Sequence, residues 1–180
     1  EAVPIIKHLA EEKFSLIDVG CGGGFPGIPL KIVFPEAEFT LLDSLSKRIE
    51  FVRDCVSELG LKKISCVAGR AEDLARDNFR ESFDICVSRA VARMNVLLEY
   101  CLPFVRVGGF CILYKSGDVE AELEEAEAAI EILGGKTSKV TELKLPLESG
   151  GRSLVIIEKM RATPEKFPRR PGKPSKTPIR

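Results

Sequence analysis

The segment DVGCGGGFPGIP, from Asp18 to Pro29, carries two overlapping glycine patterns. Gly22, Gly24 and Gly27 spell G-x-G-x-x-G, the spacing at which a strand-to-helix turn receives a dinucleotide pyrophosphate. Asp18, Gly20, Gly22 and Gly24 spell D-x-G-x-G-x-G, with which methyltransferases hold S-adenosylmethionine. Asp18 tilts the choice. A carboxylate two residues before Gly20 repels a pyrophosphate but attracts an ammonium and a sulfonium. Asp43, with Ser44 beside it, ends the next apolar run, where an acid accepts hydrogen bonds from ribose hydroxyls of either ligand. The same acid could simply cap the following helix. In AGRAEDL, Ala71 and Glu72 stand where this fold edges an adenine, or where acids merely favour a first helical turn.

A second group of chemical residues follows the fourth apolar run, in SRAVAR. Arg89 is the polar group at that strand end, a position that favours ligand contact over a purely structural ion pair. Lys115, in LYKSG, holds a similar edge after the fifth run with weaker support. Two signatures are absent: [DN]-P-P-[FYW], used to methylate exocyclic amines, and the Pro-Cys nucleophile of cytosine-C5 enzymes. The only histidine is His8, and the six cysteines never pair as C-x-x-C. That pattern argues against a metal site, a disulfide framework or a Ser-His-Asp triad, and for reduced core cysteines in a cytoplasmic protein.

Positioning these residues requires short buried strands that alternate with helices. Strands are expected at 15–20, 38–43, 63–67, 83–88, 109–114, 138–145 and 153–159, the first five being near-continuous apolar runs suited to a parallel sheet. Helices are expected at 26–34, 46–59, 71–76, 91–101 and 118–132. Ile49, Val52, Val56 and Leu59 line one face of the second of these, and Gly60 stops it. LPLESGGRS leaves no room for a helix between the last two strands, so they form a hairpin with one strand antiparallel to the rest. The fold class is α/β: a Rossmann-like, mostly parallel seven-stranded sheet with a C-terminal antiparallel hairpin and helices on both faces. Residues 1–160 make this domain, with 1–13 reading as the remnant of an N-terminal helical region.

Net charge is zero but unevenly spread. Residues 161–180 hold seven Lys or Arg against one Glu, a charge of +6 that leaves −6 on the other 160 residues. Part of that deficit is a run of seven acids without a base from Asp118 to Glu131. The tail also has five prolines, which excludes helix and sheet interior, so it reads either as a polyanion-binding arm or as a solvated terminus. No apolar run approaches the ~18 residues of a membrane helix, and the N-terminus lacks a secretory cleavage pattern.

Taken together, DVGCGGGFPGIPLKIVFPEAEFTLLDSLSKRIEFV, GRAED, FDICVSRAVARMNVLLEYCLPFVRVGGFCILYKSG and TPEKFPRRPGKPSKTPI resemble the bacterial small-subunit ribosomal RNA guanine-N7 methyltransferases, the methyltransferase G or glucose-inhibited division protein B family. The resemblance runs from about Leu16 to Arg180. It implies S-adenosylmethionine as cofactor, held by Gly20, Phe25, Asp43, Ala71, Glu72 and Arg89, and small-subunit rRNA or the 30S subunit as partner. Lys47, Arg48, Arg53, Lys166, Arg169, Arg170 and Lys173 would then meet phosphates. The family reads Lys-Gly or Lys-Ala where this chain has Lys115-Ser116, and it has an N-terminal helical segment mostly missing here, which suggests a truncated form. Guanine N7 carries a free lone pair and needs no general base, consistent with a chain lacking an active-site histidine. The alternatives are an RNA-binding module that keeps the fold without catalysis, and an NAD-dependent oxidoreductase built on the first glycine pattern.

Overall fold

The computed structural model describes residues 2–10, 13–116, 119–143 and 151–180. Five apolar runs become parallel strands, the central ones covered on both faces and the edge one, at residues 64–68, only half-buried. They are β1 (Ser15–Val19), β2 (Glu38–Asp43), β3 (Ile64–Ala68), β4 (Phe83–Arg89) and β5 (Val105–Ser116). β6 (Gly135–Leu143) and β7 (Arg152–Lys159) complete a seven-stranded sheet of order β3-β2-β1-β4-β5-β7-β6. β7 is antiparallel to both β5 and β6, as the hairpin reading requires. The linking residues 144–150, with the end of the strand expected at 138–145, lie outside the described residues.

Alternate residues of each strand feed opposite layers. Leu16, Phe39, Ile85, Val87, Ile112, Leu154 and Ile156 face α1 (Ala2–Leu9) and α2 (Gly27–Val33), where Ala2, Ile6 and Leu30 meet them. Leu41 on the same side packs on Ile28 of α2 and on Ile49 and Val52 of α3 (Ser46–Glu58). Ile17, Leu42, Cys86, Cys111 and Val155 face the other way, toward α4 (Ala71–Leu74), α5 (Met94–Cys101) and α6 (Val119–Ile132).

Three boundaries depart from the sequence reading by three residues or more. β5 begins at Val105 rather than 109, after a 3₁₀ turn over Leu102–Phe104, and β6 begins at Gly135 rather than 138. The helix expected from residue 91 starts at Met94, because Ala90 takes a left-handed conformation (φ 56°) that breaks the chain away from β4 first.

Residues 161–180 fold against the body instead of trailing into solvent. Phe167 and Ile179 join the α5–α6 core, and Pro174 is buried. The exclusion of helix fails for one turn, α7 (Lys173–Lys176), because its proline sits at the start, where a missing N–H breaks no helical bond. Arg80 donates to the carbonyls of Thr163 (2.6 Å) and Phe167 (2.9 Å), and Arg76 to that of Pro168 (2.8 Å). Lys159, fully buried at the end of β7, donates to Leu102 O and Thr163 Oγ1, each at 2.7 Å, and pairs with Glu81 at 3.1 Å.

Candidate active site at the carboxyl edge of the sheet

The carboxyl ends of β1, β2, β3 and β4 are tied into one rim by hydrogen bonds. Gly20 and Cys21 both donate their N–H to Leu42 O, Gly69 donates to Asp43 O, and Ser88 Oγ donates to Val19 O at 2.7 Å. Above this rim opens a cleft of about 330 Å³, in the range of small-molecule sites. Of the residues singled out for the cofactor, Gly20, Asp43, Ser44, Ala71 and Glu72 line it, together with Arg48, while Asp18, Gly22, Gly24, Phe25 and Arg89 are not among its lining residues. Val19, Leu42, Gly69, Arg70, Ala90, Val91 and Tyr100 line it as well and were not singled out. Ala90 and Val91 lie inside SRAVAR, so that motif held a signal; Tyr100 lies near the end of α5 and offered none.

The glycine loop takes this path only with glycine. Gly20, Gly22 and Gly24 have φ of 75°, 56° and 92°, where a side chain is strained. A Cβ on Gly20 would also run into Val91 of the opposite wall.

Asp18 does two things at once. Its Oδ2 accepts the N–H of Gly27 at 2.8 Å, fixing the start of α2 on β1. Its Oδ1 is buried with no hydrogen-bond partner. Burial pushes its pKa from 3.8 up to about 7; the Gly27 N–H and the Arg89 charge pull the other way. A pyrophosphate at the start of α2 would meet this carboxylate, and a Cβ on Gly27 would collide with Leu41 and Asp18, so Gly27 serves helix packing. An orphaned, fully buried carboxylate oxygen next to a glycine-rich bend fits the cationic methionine end of S-adenosylmethionine and not a dinucleotide.

Asp43 holds both the turn ahead of α3 and the glycine loop. Oδ1 accepts the N–H of Leu45 (3.0 Å), the turn that launches α3, while Oδ2 accepts the N–H of Gly22 (3.0 Å) and faces Arg48 Nη1 at 3.4 Å. The acid thereby locks the glycine loop to β2 while lining the cleft. Phe25 is 53% exposed rather than packed in the core, and the Arg89 guanidinium stands 5.7 Å from its ring centroid. The two form a cation–π pair over the loop.

Other expected residues land elsewhere. Lys115 pairs with Glu122 of α6 at 2.7 Å and donates to Ala92 O at 3.2 Å, so it braces the β4–α5 loop against α6. Arg169, expected to face phosphate, instead grips the fully buried Glu99 through Nε (2.9 Å to Oε1) and Nη2 (2.6 Å to Oε2). Arg53 donates to Cys66 O at 3.1 Å, while Lys47, Lys166, Arg170 and Lys173 remain exposed. All six cysteines are free thiols. Cys86, Cys101 and Cys111 bring their sulfurs within 4.8 Å of one another under α5, a grouping that spacing along the chain does not reveal.

A larger cleft, about 760 Å³, lies between α5, α6 and the tail. Its walls carry Glu124, Glu125 and Glu127 and none of the glycine loop, so it lacks the groups that would hold the cofactor.

Comparison with known proteins agrees with this geometry. The family described as GidB, rRNA small subunit methyltransferase G, matches residues 1–154. Proteins named ribosomal RNA small subunit methyltransferase G are 50% identical in Alkaliphilus metalliredigens and 51% identical in Acetivibrio thermocellus. Each aligns over 98% of this chain, and over 74% and 72% of the relative respectively. Among solved structures, geranyl diphosphate methyltransferase in complex with SAM superposes with a TM-score of 0.68, at 14% identity, over 88% of this chain and 84% of that one. The YcgJ protein from Bacillus subtilis gives 0.68 at 14% identity, over 89% and 98%. At such identities these two speak for the fold alone.

Proposed function

Because the chain belongs to the rRNA small subunit methyltransferase G family, an S-adenosylmethionine-dependent methyltransferase of ribosomal RNA, we propose that it methylates N7 of a guanine in 16S rRNA from the rim above β1, β2 and β4. The observation that carries the site assignment is the orphaned Oδ1 of Asp18 next to the glycine bend. S-adenosylmethionine, when bound, supplies an electrophilic methyl on a sulfonium. Gly20, Gly22 and Gly24 let the backbone approach its methionine end, and ionised Asp18 offsets that cation. Asp43 has its carboxylate at the cleft for ribose hydroxyls, and Ala71 and Glu72 border the adenine.

The reaction asks little acid–base chemistry of the protein. Guanine N7 attacks with an unshared pair in line with the departing sulfur, the methyl–sulfur bond breaks as the methyl–nitrogen bond forms, and no proton moves. Holding the two partners in that alignment is worth up to about 7–11 kcal/mol. Phe25 and Arg89, exposed over the glycine loop, are placed to frame the target base. Lys47, Lys166, Arg170 and Lys173 present charge to the RNA backbone.

The test is transfer of tritiated methyl to 30S subunits that lack the modification, followed by borohydride–aniline scission, which cuts RNA only beside an N7-methylated guanine. Label that coincides with scission in 16S rRNA is expected. Label on an exocyclic amine, or none at all, would overturn the proposal.

A further inference from the structure

The tail that carries the basic residues reaches the wall of the cofactor cleft. Gly172 donates its N–H to Glu72 Oε1 at 3.0 Å, and Glu72, only 3% exposed, lines that cleft. Tyr100 lines the same cleft from α5, and Ser175 Oγ donates to Gly172 O at 3.1 Å, closing the turn of the tail. One residue before Tyr100, Glu99 is held by the Arg169 guanidinium and also by the Arg169 N–H at 2.7 Å. Arg169 in turn donates to Thr177 O at 2.8 Å, which sets the curve of the segment over α7. Buried Phe167 and Ile179 anchor it on either side.

We infer that residues 169–175 are a positioning strap for the cofactor: Arg169 fixes α5, and with it Tyr100, through Glu99, and Gly172 then holds Glu72 at the adenine side of the cleft. The inference rests on the cleft assignment proposed above. None of the strap residues touches the reacting atoms. Their effect is on how ready the cleft is to receive the nucleoside. A bidentate guanidinium suits this role, because it fixes direction as well as distance, and Glu99 is buried where a misaligned partner is costly. The outer surface of the same strap is free for another task. Lys166, Arg170, Lys173 and Lys176 point to solvent while Phe167, Pro168 and Pro174 face the body.

The experiment measures Kd for S-adenosylhomocysteine by calorimetry, with Tm in parallel, for the wild type and for R169A, R169K, S175A, R106A and D43A. R106A breaks the Asp84 pair at the amino end of the sheet, remote from the cleft, and controls for lost stability alone. R169A is expected to weaken binding at least about fivefold. R169K should weaken it less, S175A measurably, and R106A should lower Tm with Kd unchanged. In steady-state assays R169A should raise KM for the donor and leave kcat within twofold. If R169A does not fold, R169K and S175A carry the comparison. Strap variants that lose Tm but keep Kd within twofold, or an R106A effect on Kd as large as theirs, would overturn the strap while D43A still abolishes binding. A wild type whose affinity survives D43A would overturn the cleft assignment first, and the strap with it.

Discussion

Asp18 is the residue on which the site turns, and its chemistry is measurable through protons. Buried with one oxygen unpaired, it keeps its proton to about pH 7 in the folded chain, against 3.8 for the ordinary group. A cationic ligand favours the ionised form, so binding near neutrality releases a proton and affinity rises between about pH 6 and 8. Calorimetry in buffers of different ionisation enthalpy should show this release, and D18N should abolish it and flatten the pH profile. Stability without ligand runs the other way. Between pH 3.8 and about 7 the folded state holds a proton that the unfolded state has lost, so stability falls as pH rises through that window, by an amount on the order of a few kcal/mol. D18N should remove that slope. The motif was legible from spacing alone, and so was the position of Asp43, because glycines and acids at strand ends are local features. The division of labour within Asp18 was not, since Oδ2 is committed to an N–H nine residues away.

At the scale of elements, alternation of apolar runs with helical patterns was enough to read five strands to within one residue of their ends, and β5 over only half its length. The seventh, β6, is described only to Leu143. What periodicity could not supply is the connection between distant pieces. The tail shows no helical or strand period, because its buried residues, Phe167, Pro168, Pro174 and Ile179, are spaced by the turns of a strap. Its partner Glu99 lies 70 residues upstream. Lys159 marks the root of this element, where β7 hands over to the tail. Burial holds its pKa below the ordinary lysine value, yet its ammonium joins Leu102 O, Thr163 Oγ1 and Glu81. K159M removes that hub and leaves Glu81 beside an apolar group. Loss of about 3–5 kcal/mol is expected, read as a fall in Tm of about 2–4 °C per kcal/mol. An unchanged Tm would show that the hub is energetically neutral.

For the whole molecule, zero net charge conceals a basic tail, residues 161–180, laid against a body that sums to −6. Binding to rRNA should therefore depend on salt far more steeply than the net charge suggests. Neutralising Lys166, Arg170 and Lys173 together should flatten the plot of log K against log salt by about 0.7–0.9 for each phosphate that the protein no longer neutralises. The same substitutions should leave the Kd for S-adenosylhomocysteine unchanged, because their side chains point away from the cleft. Strap and cleft also differ in when they come into being. Glu72 and its partner Gly172 are 100 residues apart, so at about 5–20 residues per second a ribosome needs about 5–20 s to deliver the second after the first. By then all seven strands have been made. During synthesis, the sheet and its glycine bend can form with one side of the nucleoside wall still unbraced. The braced wall for the methyl donor thus comes into being later in synthesis than the sheet that it completes.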